Sequence, residues 1–214
     1  GRPVGLNGSG WSGSKATLEH LNSRAITNLE GIQTVTVPGA VAGWFKLHER
    51  YGTVPMSRLL APAIDYAEKG FPVSRIIAGQ WAGSEQLLRL NPAAATTYLR
   101  EGRAPRHGQI FQTPDLGKSL RRIAAEGRDV IYRGEIAQSI AETSEALGGF
   151  LTLEDLEQFN ANWVEPISTT YRGYTVYEMP PNTQGIVALQ MLNMMEGFDL
   201  KAMGHNSAAY LHTL

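Results

Sequence analysis

Histidine is the side chain that most often ligates metals or moves protons near neutral pH, and the sequence holds five: His20, His48, His107, His205 and His212. None pairs with another at the spacing that puts two ligands on one helical face beside an acid, and His205 and His212 stand seven residues apart. The chain has no cysteine, which excludes disulfides, thiolate metal sites and a cysteine nucleophile. No GxSxG elbow, phosphate-binding loop or dinucleotide fingerprint occurs. Asn7-Gly8-Ser9-Gly10 resembles part of a phosphate loop but lacks the lysine and helix that should follow. These residues predict no metal, no cofactor and no catalytic cluster within the 214 residues.

Three stretches retain the capacity to bind something. The turn Asn7–Gly10 bares its backbone, and Trp11 beside it suits either a pocket wall or a cover over core. Arg100–Gln112 gathers Arg100, Arg103, Arg106 and His107 without helical or strand periodicity, so a solvated loop is expected there in place of an anion patch. Thr183–Gly185 precedes an apolar helix and offers N–H groups to a carbonyl or anionic oxygen; capping explains the same residues and is the expectation.

The elements that must carry these stretches follow from apolar periodicity. Arg2–Leu6 alternates as a strand leading into the glycine-rich turn, and Thr34–Val37 (TVTV) reads as a second strand broken by Pro38-Gly39. A helix should then run from Ala40 to Tyr51, with Gly52 as a left-handed stop, and another from Pro55 to Gly70. In these helices small residues at Gly39, Ala40, Ala42 and Gly43 leave room for another backbone. Ser74 should cap a helix to about Leu90, Asn91-Pro92 starts a short one, and Thr113-Pro114-Asp115 combines a capping hydroxyl, a first-turn proline and an acid. A helix ending at Gly148-Gly149, a capped start at Thr152, a hairpin over Ile167–Met179 turning at Arg172-Gly173, and a helix to Gly197 complete the pattern.

Val37–Gly43 (VPGAVAG), Arg50-Tyr51-Gly52 and Leu59–Ser74 resemble, residue for residue, the large subunit of the γ-glutamyltranspeptidase family, and Pro114–Ala137 and Pro180–Leu200 resemble further segments of it. The resemblance implies an α/β fold, the layered αββα sandwich of N-terminal nucleophile hydrolases. This chain would be a mostly helical piece of it with two β segments, Arg2–Gly10 and Ile167–Met179, and residues 1–214 a partial large-subunit region. In that family a precursor cuts itself, and the new N-terminal threonine attacks the substrate carbonyl with its own α-amine as base. The threonine is expected beyond Leu214, and Gly1 has no side chain to attack with. The chain alone is therefore expected to be inactive, with the small-subunit segment of the same precursor as its partner.

One departure bears on substrate. The family's first turn reads DxREtAPxAAT, and its arginine pairs with the α-carboxylate of the γ-glutamyl group; here Ser9 stands at the arginine position and Gly10 at the glutamate position. A hydroxyl cannot replace the two parallel charge-assisted bonds of a guanidinium. The NGSG turn is similar to the acylase and oxamate amidohydrolase branch, which implies Ser9, Gly10 and Trp11 as substrate-binding residues and a small non-γ-glutamyl amide as substrate. Two alternatives stand beside it: a genuine γ-glutamyltransferase or glutathione hydrolase in which Arg2 or Arg24 binds the carboxylate, and a degenerate non-catalytic scaffold.

Composition bounds the partners. Hydrophobic content is 43%, charged content 18% and net charge -1, an ordinary folded composition without the basic excess that a nucleic-acid groove or anionic membrane surface requires. No window reaches the roughly 18 consecutive apolar residues of a membrane span. Absence of cysteine suits cytoplasm and periplasm alike. The start without Met or leader and the helical pattern still open at Leu214 lead to the expectation that both ends lie inside a longer protein.

Overall fold

Helical periodicity dominates the sequence, and helices dominate the computed structural model, which describes residues 2–214; Gly1 lies outside them, and with it the expectation drawn from its missing side chain. The first elements are β1 (Gly5–Asn7), α1 (Leu18–Ser23), a 3-10 turn at Gly31–Thr34, α2 (Ala40–Tyr51) and α3 (Met56–Lys69). Next come β2 (Phe71–Pro72), α4 (Arg75–Gly83), α5 (Glu85–Arg89), α6 (Pro92–Tyr98), β3 (Ile110–Phe111), α7 (Pro114–Glu126) and α8 (Asp129–Tyr132). The last are α9 (Glu135–Ala146), α10 (Leu153–Glu157), β4 (Asn162–Val164), β5 (Ile167–Tyr171), β6 (Tyr174–Glu178), α11 (Gly185–Met195), α12 (Leu200–Met203) and α13 (Ala208–Thr213). Residues up to Arg50 together with Ala137–Leu214 form one compact unit, and Tyr51–Ile136 form another.

In the first unit, β1 pairs antiparallel with β4 in the register Gly5↔Val164, Leu6↔Trp163, Asn7↔Asn162. The hairpin β5–β6 forms as expected: Arg172 and Gly173 take φ of 50° and 84°, the two positive values that match a two-residue turn to strand twist. α11 packs on this hairpin and buries Gly185 and Leu189. Phe150, Leu151, Leu156 and Phe159 are each 3% exposed or less and form the unit's core with Val37 and Ala42. The TVTV strand does not form. Gly31 at φ 54° opens a 3-10 turn through Thr34, and among the described residues one bridge, Ser12↔Thr36, is the ladder contact left before Pro38.

In the second unit, α3 and α7 pack along their lengths, burying Leu60, Ile64 and Ala67 on one and Leu120 and Ile123 on the other. Gly117 makes the approach possible: a Cβ there would stand 2.6 Å from the side chain of Glu68, whose carboxylate takes both Nε and Nη2 of Arg121 at 2.6 Å. A third ribbon, β2–β3, pairs Phe71 with Phe111, one β element more than the two expected. Phe111 is buried beneath Phe71 and Trp81, with ring centroids at 6.1 and 4.6 Å. Gly70 and Gly127 end α3 and α7 at φ 88° and 87°, as expected, whereas Gly52 does not take positive φ after α2. Ser74 caps α4, but the helix breaks at Ser84 and resumes as α5. Thr113, at ψ 72°, caps nothing with its hydroxyl; its N–H donates to the Ala67 carbonyl and ties α7 to α3.

Candidate functional site

Within the first unit, the turn after β1 is held from three sides. The Asn7 carboxamide folds over it: Oδ1 accepts the Ser9 N–H at 2.9 Å, and Nδ2 donates to Oδ1 of Asn182 at 2.9 Å. The second side is backbone against backbone. Val37 N–H donates to Trp11 O at 3.0 Å, and a Cβ on Gly10 would fall inside the envelope of the Val37 carbonyl. Likewise, a Cβ on Gly39 would collide with the Gly8 carbonyl and one on Gly13 with that of Phe150. Three glycines are therefore needed for closeness rather than for φ, since none of them takes a positive value.

The third side is electrostatic. Asp155 is 7% exposed, and its carboxylate accepts the Ser14 N–H at 3.0 Å on each oxygen, the Ser14 hydroxyl at 3.2 Å, and the Thr152 N–H and hydroxyl at 2.8 Å each. Burial pushes this carboxyl up, but the donors of Ser14 and Thr152 outweigh burial and hold it below the usual carboxylate range. The Thr152-x-x-Asp155 capping box thus reaches beyond its own helix and pins the far end of the turn. From sequence, Asp155 reads only as part of a capped helix start; which backbone its second set of lone pairs would meet depends on contacts across 141 residues.

Ser9 is exposed, and its hydroxyl has no hydrogen-bond partner among the described residues. Trp11 covers Phe159 edge-on at 5.1 Å, as the core-cover reading expects, and keeps 43% of its surface exposed beside the turn. No charged group bonds to Ser9, Gly10 or Trp11 among the described residues. Arg2 is spent on Glu165 at 3.0 Å, and Arg24 lies at the C-terminal end of α1. The turn before α11 comes to the same place through Asn182, a link that sequence reasoning missed, because a hydrogen bond between two asparagines leaves no periodic signal. Within that turn Thr183 donates to the Met179 carbonyl at 3.0 Å and accepts the Gly185 N–H at 3.4 Å, so its hydroxyl is engaged locally as expected. A Cβ on Gly185 would stand 3.0 Å from a Glu178 carboxylate oxygen, and that neighbouring charge opposes an anion at this helix start. What the site offers is a neutral, backbone-rich ledge with one free hydroxyl and one half-exposed indole. Among the described residues no cluster of His, Asp and Glu could hold a metal.

Comparison with known proteins places this geometry in a family. The gamma-glutamyltranspeptidase family model matches residues 1–214. A glutathione hydrolase-like proenzyme of Bacillus subtilis (strain 168) is 37% identical over 209 residues, 97% of this chain and 40% of that protein. An oxamate amidohydrolase proenzyme of Klebsiella pneumoniae is 36% identical over 220 residues, 100% of this chain and 41% of that protein. Among solved structures, the cephalosporin acylase from Bacillus halodurans superposes with a TM-score of 0.91 at 37% identity, over 98% of this chain and 40% of the acylase. The chain thus spans about 40% of the length of the curated relatives it matches.

Proposed function

The chain belongs to the gamma-glutamyltranspeptidase family, and from that membership we propose that it is the large-subunit region of a self-processing N-terminal nucleophile amidase acting on a small amide that carries no γ-glutamyl group. The observation that carries the substrate reading is the uncharged turn Ser9–Trp11, where the resemblance sets an arginine in γ-glutamyl enzymes and where the nearest named substitutes, Arg2 and Arg24, make no contact. A carboxylate desolvated against this ledge would lack a cation, which costs several kcal/mol by the standard of broken charge pairs. Supporting it, relatives of comparable identity carry the names oxamate amidohydrolase and cephalosporin acylase.

In this reading Ser9, Gly10 and Trp11 form one wall of the substrate pocket, and a threonine freed by self-cleavage supplies the nucleophile. Its hydroxyl oxygen adds to the amide carbonyl; the C–N bond breaks, the amine leaves with the proton taken up by the α-amino group, and water then cleaves the acyl ester. The partner that completes the site is the remainder of the same precursor, which packs on the exposed face of α11.

The test is the intact mass of the full-length gene product after incubation, followed by turnover of a γ-glutamyl anilide beside a panel of small amides that includes oxamate. Two chains, the smaller beginning with threonine, and a preference for the small amides are expected. A single uncut chain removes the catalytic reading, and efficient γ-glutamyl turnover removes the substrate reading. Ser9→Arg should raise γ-glutamyl turnover relative to the wild type.

A further inference from the structure

The stretch Arg100–Gln112 is largely exposed, as expected of a solvated loop, and it also lines an open cavity of about 980 Å³ that lies wholly within the second unit. That volume is at the upper end of the range of small-molecule sites, roughly 300–1,000 Å³. The loop is not loose. Arg100 lays its guanidinium over the Phe111 ring at 4.5 Å and donates to the carbonyls of Thr97, at 3.1 Å, and Gln112. Glu85 anchors the opposite rim: one oxygen accepts the Ala104 N–H at 2.8 Å and the other accepts from Arg89 at 2.9 Å. The Ala104 N–H, first, then Arg89 and, more weakly, the charge of Arg103 hold that carboxyl below its usual range, so its charge is present and matched mainly by Arg89.

What remains inside is unbalanced. Arg103 and Arg106 line the cavity, and neither guanidinium has a hydrogen-bond or ion-pair partner among the described residues. His107 lies beside them, and Glu101 is the one lining carboxylate not matched by a cation. Folded proteins pair or solvate their charges one at a time. Two exposed guanidiniums three residues apart, lining one concavity without a hydrogen bond or contact ion pair, give it a positive field that the more distant Glu85 only partly offsets. Ala78 and Ala82 of α4 also line the cavity and present only methyl groups, and a Cβ on Gly79 between them would meet nothing within 4 Å. The lining thus joins cationic side chains with small apolar ones.

We propose that this cavity binds an organic polyanion, its multiply charged phosphate or carboxylate head held by Arg103, Arg106 and His107 and its body seated over Ala78 and Ala82. Guanidinium forks match both oxyanion geometries, which is why the class is named by charge. The site is independent of the amidase reading, since it uses no residue of the Ser9 turn.

The experiment is calorimetric titration of the full-length protein with two probes, pyrophosphate and citrate, at low ionic strength. Saturable binding of at least one is expected, fading as salt approaches about 1 M, where the screening length is about 3 Å. The probe that binds more tightly assigns the head group. Arg103→Gln with Arg106→Gln should weaken binding about 100-fold, roughly tenfold for each charge-assisted hydrogen bond lost, and Glu101→Gln should tighten it severalfold. Because neither arginine is bonded to protein, the double variant should melt with the wild type. If the double variant binds the preferred probe as the wild type does, or if the wild type saturates with neither, the assignment is overturned. Should the double variant melt early, Glu101→Gln decides alone: tighter binding supports the site and unchanged binding overturns it.

Discussion

Asp155→Ala tests whether a buried carboxylate, and not the glycine contacts alone, holds the candidate site in shape. In the wild type the carboxylate accepts two backbone N–H groups and two hydroxyls from Ser14 and Thr152 at 2.8–3.2 Å. Alanine leaves the two hydroxyls free to rotate to other acceptors but strands the N–H groups. A buried donor left unmade costs about 1–3 kcal/mol; two are stranded here, the Ser14 one in part open to water, and the Thr152 hydroxyl still caps the N–H of residue 155, so about 2–4 kcal/mol is expected. Asparagine keeps one acceptor oxygen but sets an NH2 group against donors and should recover only part of this. The assay is amide hydrogen exchange in the full-length protein, read at Ser14 and Thr152, beside thermal unfolding. At about 1.4 kcal/mol per factor of ten, exchange at Ser14 should accelerate about 30-fold or more. The pH dependence has a fixed sign. Because the folded carboxyl is held below its ordinary value, the stabilisation is complete above the unfolded pKa, about 3.9, and is lost as pH falls through the lower folded value. The difference between wild type and Asp155→Ala should therefore be constant near neutrality and shrink below about pH 4. Unchanged Ser14 exchange, or a difference that persists undiminished in strong acid, would refute the reasoning.

Gly10→Ala and Gly43→Ala form a matched pair: the first drives a methyl into the Val37 carbonyl and should destabilise by about 3 kcal/mol or more. The second meets nothing within 4 Å inside α2 and should stabilise by about 0.5–1 kcal/mol, both read by denaturant midpoint. Asn182→Ala removes the exposed partner of Asn7; its stability cost should stay under about 1 kcal/mol, while the Ser9 amide resonance shifts and its exchange quickens. Gly173→Ala, at φ 84° in the hairpin turn, should cost about 1–2 kcal/mol in the same denaturant assay.

What the sequence made legible was local. Caps at Ser74, Asn91 and Thr152, the stops at Gly70 and Gly127 and the Arg172-Gly173 turn are all decided within about four residues, and all formed. Thr113 failed as a side-chain cap because its backbone is bound to Ala67, and TVTV failed as a strand because its neighbours across space offer one bridge and no ladder. Among the small residues at the start of α2, Gly39 does admit a backbone, that of Gly8, while a Cβ on Gly43 would meet open space. The turn that carries Ser9, Gly10 and Trp11 was visible as a turn. Its clamps, Asn182 and Asp155, lie 175 and 141 residues from their partners, where no periodicity reaches.

α11 shows where the remainder of the precursor must act in the proposed assembly. Its Gly185 and Leu189 are buried, while Val187, Met191 and Met194 recur at i, i+4 and i+7 and are 42–66% exposed. That spacing is one continuous stripe along the helix line, and an apolar stripe opposite a buried face belongs to a helix covered on both sides. Relatives two and a half times as long have the chain to cover it, since this one spans 40% of their length. Each such side chain, once fully covered, contributes about 1.5–3 kcal/mol, and an unpaired carboxylate set among them costs more than that gain. Met191→Asp in the full-length protein should therefore block assembly, seen as loss of the two-chain product by intact mass. Met191→Leu, which keeps the stripe apolar, should process as the wild type does. A Met191→Asp protein that cuts itself and melts like the wild type would mean that the stripe faces water in the whole molecule, and the partner would have to dock elsewhere.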